Sequence, residues 1–295
     1  MVQGASPMVG ICVEKGRGTV TIMITGGSGQ LGSEIIRQLR DAGRPFLAPH
    51  RAELDVTDVD QTKGFIYRSS PDIIIHCAAF TDVELAEEEE ARAFLVNEEG
   101  TSYIAEAASA VGAVLVYIST DYVFDGKKKA PYEEGDHPAP LNAYGRSKLA
   151  GEEAVRKAAP RHYIVRTSWV FGGGGPNFIK KILTLSETND TLKVVDDVLG
   201  SPTYTVDLAG AIIRLVETHR FGTFHLANAG ACSWRELADE SIRLSGKKTI
   251  ILPCPSKEYP SKAARPRYSV LANQKAPPLP PWKDAVKRYL DSIRV

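Results

Sequence analysis

An apolar run, Thr19–Thr25, leads straight into Gly26-Gly27-Ser28-Gly29-Gln30-Leu31-Gly32, and a helical pattern begins inside that turn. Glycines at this spacing between a strand and a helix restrict the fold more than any other feature of the chain. Glycine reaches positive φ without steric cost and lets the backbone approach a phosphate closely. The helix that follows offers unpaired N–H groups and a partial positive charge at its start. The third glycine lets the helix lie tight against the strand. Gly26, Gly29 and Gly32 therefore point to a βα turn that receives the pyrophosphate of a dinucleotide.

Such a turn needs a sheet to stand on, and the next 140 residues supply the pattern for one. Helical periodicity over Gln30–Ala42 places Leu31, Ile35, Ile36 and Leu39 on one stripe. Further strands are expected at Pro45–Pro49, Asp72–Ala78, Ala113–Thr120 and His162–Ser168, with helices at Asp58–Ser69, 85–111 and Asn142–Ala159. Apolar strands alternating with amphipathic helices imply a parallel sheet covered on both faces. The expected fold is a doubly wound (Rossmann) α/β domain over 19–171, joined by about 203–228. Residues 172–295 are expected to form mainly a smaller substrate-binding lobe, and 1–18 a loose extension or a partner-binding arm. In that lobe, helices fit 177–187, 206–218, 234–245 and 283–293, and short strands fit 192–196, 223–227 and 249–252. Residues 253–282 hold eight prolines and read as irregular surface. Ala276-Pro277-Pro278-Leu279-Pro280-Pro281 reads as a stiff loop, with a polyproline ligand as the alternative.

A second constellation carries the chemistry. Tyr144 and Lys148 lie four apart at the start of a helix, so they share one face. A phenol has an ordinary pKa of about 10. A neighbouring ammonium is expected to lower it, while the neutral phenol remains a proton donor toward a carbonyl. A hydroxyl is needed beside it, and Thr120, next to Ser119, ends the fourth strand, where doubly wound folds hold their ligands. Thr120, Tyr144 and Lys148 are thus the catalytic candidates of a nicotinamide-dependent oxidoreductase. NAD-preferring sites place an acid near the end of the second strand. Here that region reads Phe46-Leu47-Ala48-Pro49-His50-Arg51. Arg51, with His50, suits a 2′-phosphate, so NADPH is expected and NADH stays possible. Asp55 is in reach of the adenine or ribose.

Composition excludes other classes. Net charge is zero among 295 residues, which argues against nucleic acid or a membrane surface as partner. Cys12, Cys77, Cys232 and Cys254 are scattered without metal spacing and read as reduced cytosolic thiols. His76 and Cys77 read as core residues of a strand. Glu87-Glu88-Glu89-Glu90 reads as a solvated face, Trp234 and Trp282 as packing, and Tyr122, with no lysine one turn on, as the weaker phenol.

Taken together, these stretches resemble the extended short-chain dehydrogenase/reductase family, from about Thr21 to the last helix. The most specific are Gly26–Gly32, Cys77–Val83, Ser119–Phe124, Tyr144–Gly151 and Arg166–Val170, with Gly200–Thr203 and Arg265-Pro266 in addition. The resemblance implies that Gly29, Gln30 and Leu31 line the pyrophosphate, Asp55 and Val56 the adenine end, and Ala79, Phe80 and Thr81 the nicotinamide side. It implies sugar contacts from Val83, Thr120, Asp121, Tyr144 and Trp169, with Arg265 toward the nucleotide phosphates. The implied reaction is NADPH-dependent reduction of the 4-keto group of dTDP-4-dehydro-β-L-rhamnose, a dTDP-sugar, by a cytoplasmic monomer or homodimer. Another 4-keto-6-deoxy sugar remains open. So does a non-catalytic role, because the scaffold is also that of the regulatory β subunit of methionine adenosyltransferase. Two departures stand out. Val83-Glu84-Leu85-Ala86-Glu87 lacks a lysine frequent in the family. Some members also bridge a dimer with magnesium through glutamates; Glu34 matches one position but Val206 falls on the other, so no metal site is expected.

Overall fold

The computed structural model describes residues 20–293, so the expected extension over 1–18 lies outside the described residues. Six parallel strands form one sheet: β1 (Ile22–Thr25), β2 (Phe46–Leu47), β3 (Ile73–His76), β4 (Val114–Thr120), β5 (His162–Thr167) and β6 (Gly222–His225). Their order across the sheet is β2-β1-β3-β4-β5-β6. The sheet is doubly wound, but β2 is only two residues long and ends it on one side. The dinucleotide order 3-2-1-4-5-6 carries a further strand there. Direction reverses between β1 and β3, and that reversal opens a crevice at the carboxyl ends of the strands.

Side-chain alternation along β1 explains why both faces are covered. Ile22 and Ile24 join α1 (Gln30–Asp41) through Leu31, Ile35 and Leu39, and a later helix through Leu208 and Ile212. Met23 points the other way, toward Ile66 of α2 (Val59–Ser69), Ile104 and Ala108. The span expected as one helix over 85–111 is broken into α3 (Val83–Glu88), α4 (Glu90–Phe94), a π-helical turn (Leu95–Glu99) and α5 (Gly100–Val111). The π turn serves Asn97, whose buried amide accepts from Phe80 N and donates to Phe80 O and Ser147 Oγ. The four glutamates are not simply a solvated face either. Glu87 caps the first turn of α6 (Ala143–Ala158) through Ala143 N at 2.7 Å, and Glu90 pairs with Arg146.

The remaining helices are α7 (Phe178–Leu185), α8 (Thr205–Val216), α9 (Trp234–Ser245) and α10 (Trp282–Ile293). α8 packs on α1 and leads into β6. α7, α9 and α10 share an aromatic core of Phe171, Tyr204, Trp282 and Tyr289, with Thr191–Val195 and Ile250–Cys254 paired beside them. The proline run is built into the fold: Leu279 is buried, and Leu279–Pro281 pairs with Asn228–Ala229. No helix among the described residues is long and apolar enough to cross a membrane.

Glu152 on α6 and Arg166 on β5 form a fully buried ion pair at 2.7 Å, with Ser119 of β4 donating to the same carboxylate at 2.6 Å. Arg166 and Ser119 hold that carboxyl below its usual range against the opposing effect of burial. Glu152→Ala strands the guanidinium, so a loss of about 3–5 kcal/mol is expected in urea unfolding. A loss below about 1 kcal/mol, the value of an exposed pair, would show that the pair does not tie these elements together.

Candidate active site

A cleft of about 1160 Å³ opens at the reversal between β1 and β3. The glycine turn forms one wall. Gly26 has φ +67°, and a Cβ there would sit 2.6 Å from Ala78 N. A Cβ on Gly32 would lie 2.3 Å from Gly26 O, so only glycine lets α1 start this close to β1. Gly29 caps α1 without any side-chain acceptor, and the first turn holds no acid. The starting N–H groups are thus left for an outside anion. Gln30 and Leu31 line the same wall, and the buried Oε1 of Gln30 has no protein partner. The arrangement fits a dinucleotide pyrophosphate.

Farther along, the cleft is lined by Arg51, Asp55 and Val56, then by Ala79, Phe80, Thr81 and Val83. Arg51 is 71% exposed at the rim and reaches Asp55 at 3.2 Å. Burial opposes ionisation of Asp55, but hydrogen bonds from Thr57 and Arg51 outweigh it and hold the carboxyl below its usual range. His50 is engaged in its own turn, accepting from Ala52 N at 3.2 Å. Phe80 is fixed from behind by Asn97 and carries the Arg92 guanidinium 5.6 Å above its ring.

Thr120, Tyr144 and Lys148 line the deep part of this cleft. Asn142 caps α6 through Gly145 N at 2.7 Å and so sets the turn that presents Tyr144. The Thr120 hydroxyl lies near enough to the Tyr144 phenol to favour its charged form. The expected lowering of that phenol is corrected here: burial pushes the Tyr144 phenol up to about 12, against the Thr120 hydroxyl and with help from the Asp121 charge. Lys148 Nζ sits 4.0 Å over the Tyr117 ring. Burial also pulls Lys148 down to about 7, opposed by Glu152 and Cys77. At neutral pH the phenol is neutral, the state a proton donor requires. A carbonyl oxygen placed between Thr120 and Tyr144 would meet two hydroxyls at once.

The far end is aromatic. Trp169 adopts φ +46°, a costly conformation for a large side chain, and stacks on Trp234 with ring centroids 3.5 Å apart. Trp234 therefore lines the cleft as well as packing in the lobe. Tyr122 stands edge-on to Tyr144 at 5.9 Å, and burial raises its phenol well above the usual range. Arg265 is not among the cleft-lining residues. It pairs with Glu84 at 2.5 Å, which also accepts from Ser261 and Lys262 N. Glu34 pairs with Arg37 and receives Gln38, which also donates to Val206 O. His76 is a satisfied core residue between Thr25 and Thr101, pulled down to about 3 by burial and Lys148.

Several site neighbours carry no local sequence signal. Asn97 and Tyr117 support the cleft from behind, and the buried Thr167 Oγ1 has no protein partner at its edge. Cys77 faces the cleft half-buried, its thiol pushed up to about 12 by burial and therefore inert.

A model of the family described as the RmlD substrate binding domain matches residues 20–295. A dTDP-4-dehydrorhamnose reductase of Streptomyces griseus is 42% identical, with 92% of this chain and 93% of that protein aligned. A dTDP-4-keto-6-deoxy-D-glucose reductase of Streptomyces niveus is 40% identical over 89% of this chain and 90% of its own length. The crystal structure of a dTDP-4-dehydrorhamnose reductase from Bacillus anthracis str. Ames in complex with NADP has a TM-score of 0.90. It is 38% identical and covers 93% of this chain and 99% of that one.

Gly26→Ala tests the turn. Its Cβ meets the Ala78 backbone at positive φ, so dinucleotide affinity should fall at least about tenfold, or 1.4 kcal/mol. Titration of NADPH fluorescence checks this, and unchanged affinity in the folded variant would remove the turn from the site.

Proposed function

The chain belongs to the family described as the RmlD substrate binding domain, and from that membership we propose that it reduces the 4-keto group of dTDP-4-dehydro-β-L-rhamnose to dTDP-L-rhamnose with NADPH. The observation that carries the proposal is that Thr120, Tyr144 and Lys148 line one cleft together with the glycine turn. NADPH, when bound, supplies the hydride. The chain's own residues orient and balance charge. The α1 terminus and its glycines hold the pyrophosphate, and Arg51 at the rim takes the 2′-phosphate. Ala79, Phe80 and Thr81 line the nicotinamide side. Thr120 donates to the carbonyl oxygen as negative charge builds there. Tyr144 delivers its proton to that oxygen, and Lys148 as ammonium stabilises the phenolate left behind. Val83, Asp121 and Trp169 hold the sugar. Arg265 reaches the nucleotide phosphates only if they draw it away from Glu84.

The alternative sugar keeps a specific support, since the Streptomyces niveus relative is named for the D-glucose series. Both keto sugars are therefore offered in one assay, with NADPH oxidation followed by absorbance and the product identified. Turnover of neither substrate, despite NADPH binding, would overturn the proposal.

Tyr144→Phe should lose turnover by about 10²–10⁴-fold while NADPH affinity stays nearly unchanged; equal loss of both would remove Tyr144 as the proton donor. Arg51→Ala should weaken NADPH about fivefold, the effect of roughly 1 kcal/mol at an exposed ion pair. NADH affinity should not change, and parallel loss of both cofactors would exclude a 2′-phosphate contact.

A further inference from the structure

Asp121 follows Thr120 directly, so carboxylate and hydroxyl share one turn at the end of β4. The carboxylate is 2% exposed and surrounded by hydroxyls. Ser269 Oγ donates to Oδ2 at 2.5 Å, and Thr120 Oγ1 donates to Oδ1 at 3.2 Å. Ser269 is itself 1% exposed and arrives from 148 residues away. Its backbone is held in place by Leu199 O at 2.9 Å, along the two-residue strand Leu199–Gly200. Its hydroxyl therefore has a fixed direction.

Thr120 has one proton and several claimants. Its oxygen accepts from Tyr122 N at 3.2 Å, and its proton goes to Asp121 in this structure. A substrate carbonyl must win that proton from the Asp121 carboxylate. A carboxylate that already receives Ser269 competes for it less strongly. We propose that Ser269 is a positioning residue: by donating to Asp121 from the far side, it partly satisfies the carboxylate, and so frees the Thr120 hydroxyl for the carbonyl oxygen. The inference rests on the reading above that Thr120 and Tyr144 meet a carbonyl.

The titratable groups facing Asp121 are Tyr122 on its own turn and Tyr144 on α6, with Arg265 one step removed, acting on Tyr122. Burial raises the Asp121 carboxyl to about 6, and the hydroxyls of Ser269, Ser168 and Thr120 resist that rise. The charged form is thus present above about 6 and lost as pH falls through it. Without the Ser269 hydroxyl the loss must begin at higher pH.

The experiment compares wild type, Ser269→Ala and Ser269→Cys, a near-isosteric change that keeps a weak donor. Two quantities are followed against pH: kcat/KM with NADPH and the accepted keto sugar, and the Asp121 carboxyl-carbon NMR signal, assigned with Asp121→Asn. In S269A the carboxyl titration should move up by about one pH unit, one hydrogen bond's worth, and kcat/KM should fall above that titration, where the less satisfied carboxylate holds the Thr120 proton, and recover toward wild type below it. S269C should fall between, and NADPH affinity should stay within twofold. A loss of kcat/KM uniform across pH, with an unmoved carboxyl titration, would reduce Ser269 to packing and overturn the inference. Wild-type protein that turns over no keto sugar would overturn the proposed reaction instead, and the carboxyl titration would still show whether Ser269 sets the Asp121 charge. Should S269A not fold, an unshifted S269C would decide against it.

Discussion

One buried ion pair ties together the three elements that carry the chemistry. Glu152 lies one turn beyond Lys148 on α6, Ser119 is the residue before Thr120 on β4, and Arg166 comes from β5; all meet at one carboxylate. Arg166 also rests 5.0 Å from the Phe124 ring, on the turn that follows Thr120. Charges buried this deeply gain over water only when the geometry is met in full. Satisfying Glu152 therefore sets the height of α6 against β4, and with it the distance from Tyr144 to Thr120. The same carboxylate raises Lys148 toward its charged form against the burial that lowers it.

The cleft is arranged around protons it does not release by itself. Burial keeps the Tyr144 phenol neutral, and Lys148 is drawn toward neutrality by the same dry surroundings. A charge developing on a substrate oxygen there is met by fixed hydroxyls in a partly buried region, where electrostatic interactions are stronger than in bulk water. The π turn belongs to the same design. It lets Asn97 leave the regular helical ladder and lock Phe80 to Ser147, which joins the third strand's exit loop to α6. A continuous helix would point that amide elsewhere.

The carboxyl-terminal elements complete the site. Trp234 from α9 supports the strained Trp169, and a Cβ on Gly200 would lie 2.4 Å from the Trp169 ring. Ser269 reaches Asp121, and Glu84 pairs with Arg265 and gathers Ser261 and Lys262 from the same loop. Closing these contacts immobilises several side chains, and the stacking, ion pairs and hydrogen bonds offset that entropy.

Periodicity and glycine chemistry are local properties, and they determined the doubly wound sheet, the turn after β1 and the shared face of Tyr144 and Lys148. Continuous apolar strand runs such as Ile73-Ile74-Ile75 can be satisfied only by a sheet covered on both faces, and Gly26 and Gly32 only by close backbone approach. Several element ends fall within a few residues of the expected bounds, and caps such as Asn142 and Ser233 sit next to the helices they cap. Tertiary structure decided the rest. The break of 85–111 depends on where Phe80 lies, the phenol's rise on how dry its surroundings are, and the positions of Trp234, Arg265 and Ser269 on contacts across long stretches of chain. Burial and charge sum over every neighbour in space, and no window of sequence contains those neighbours.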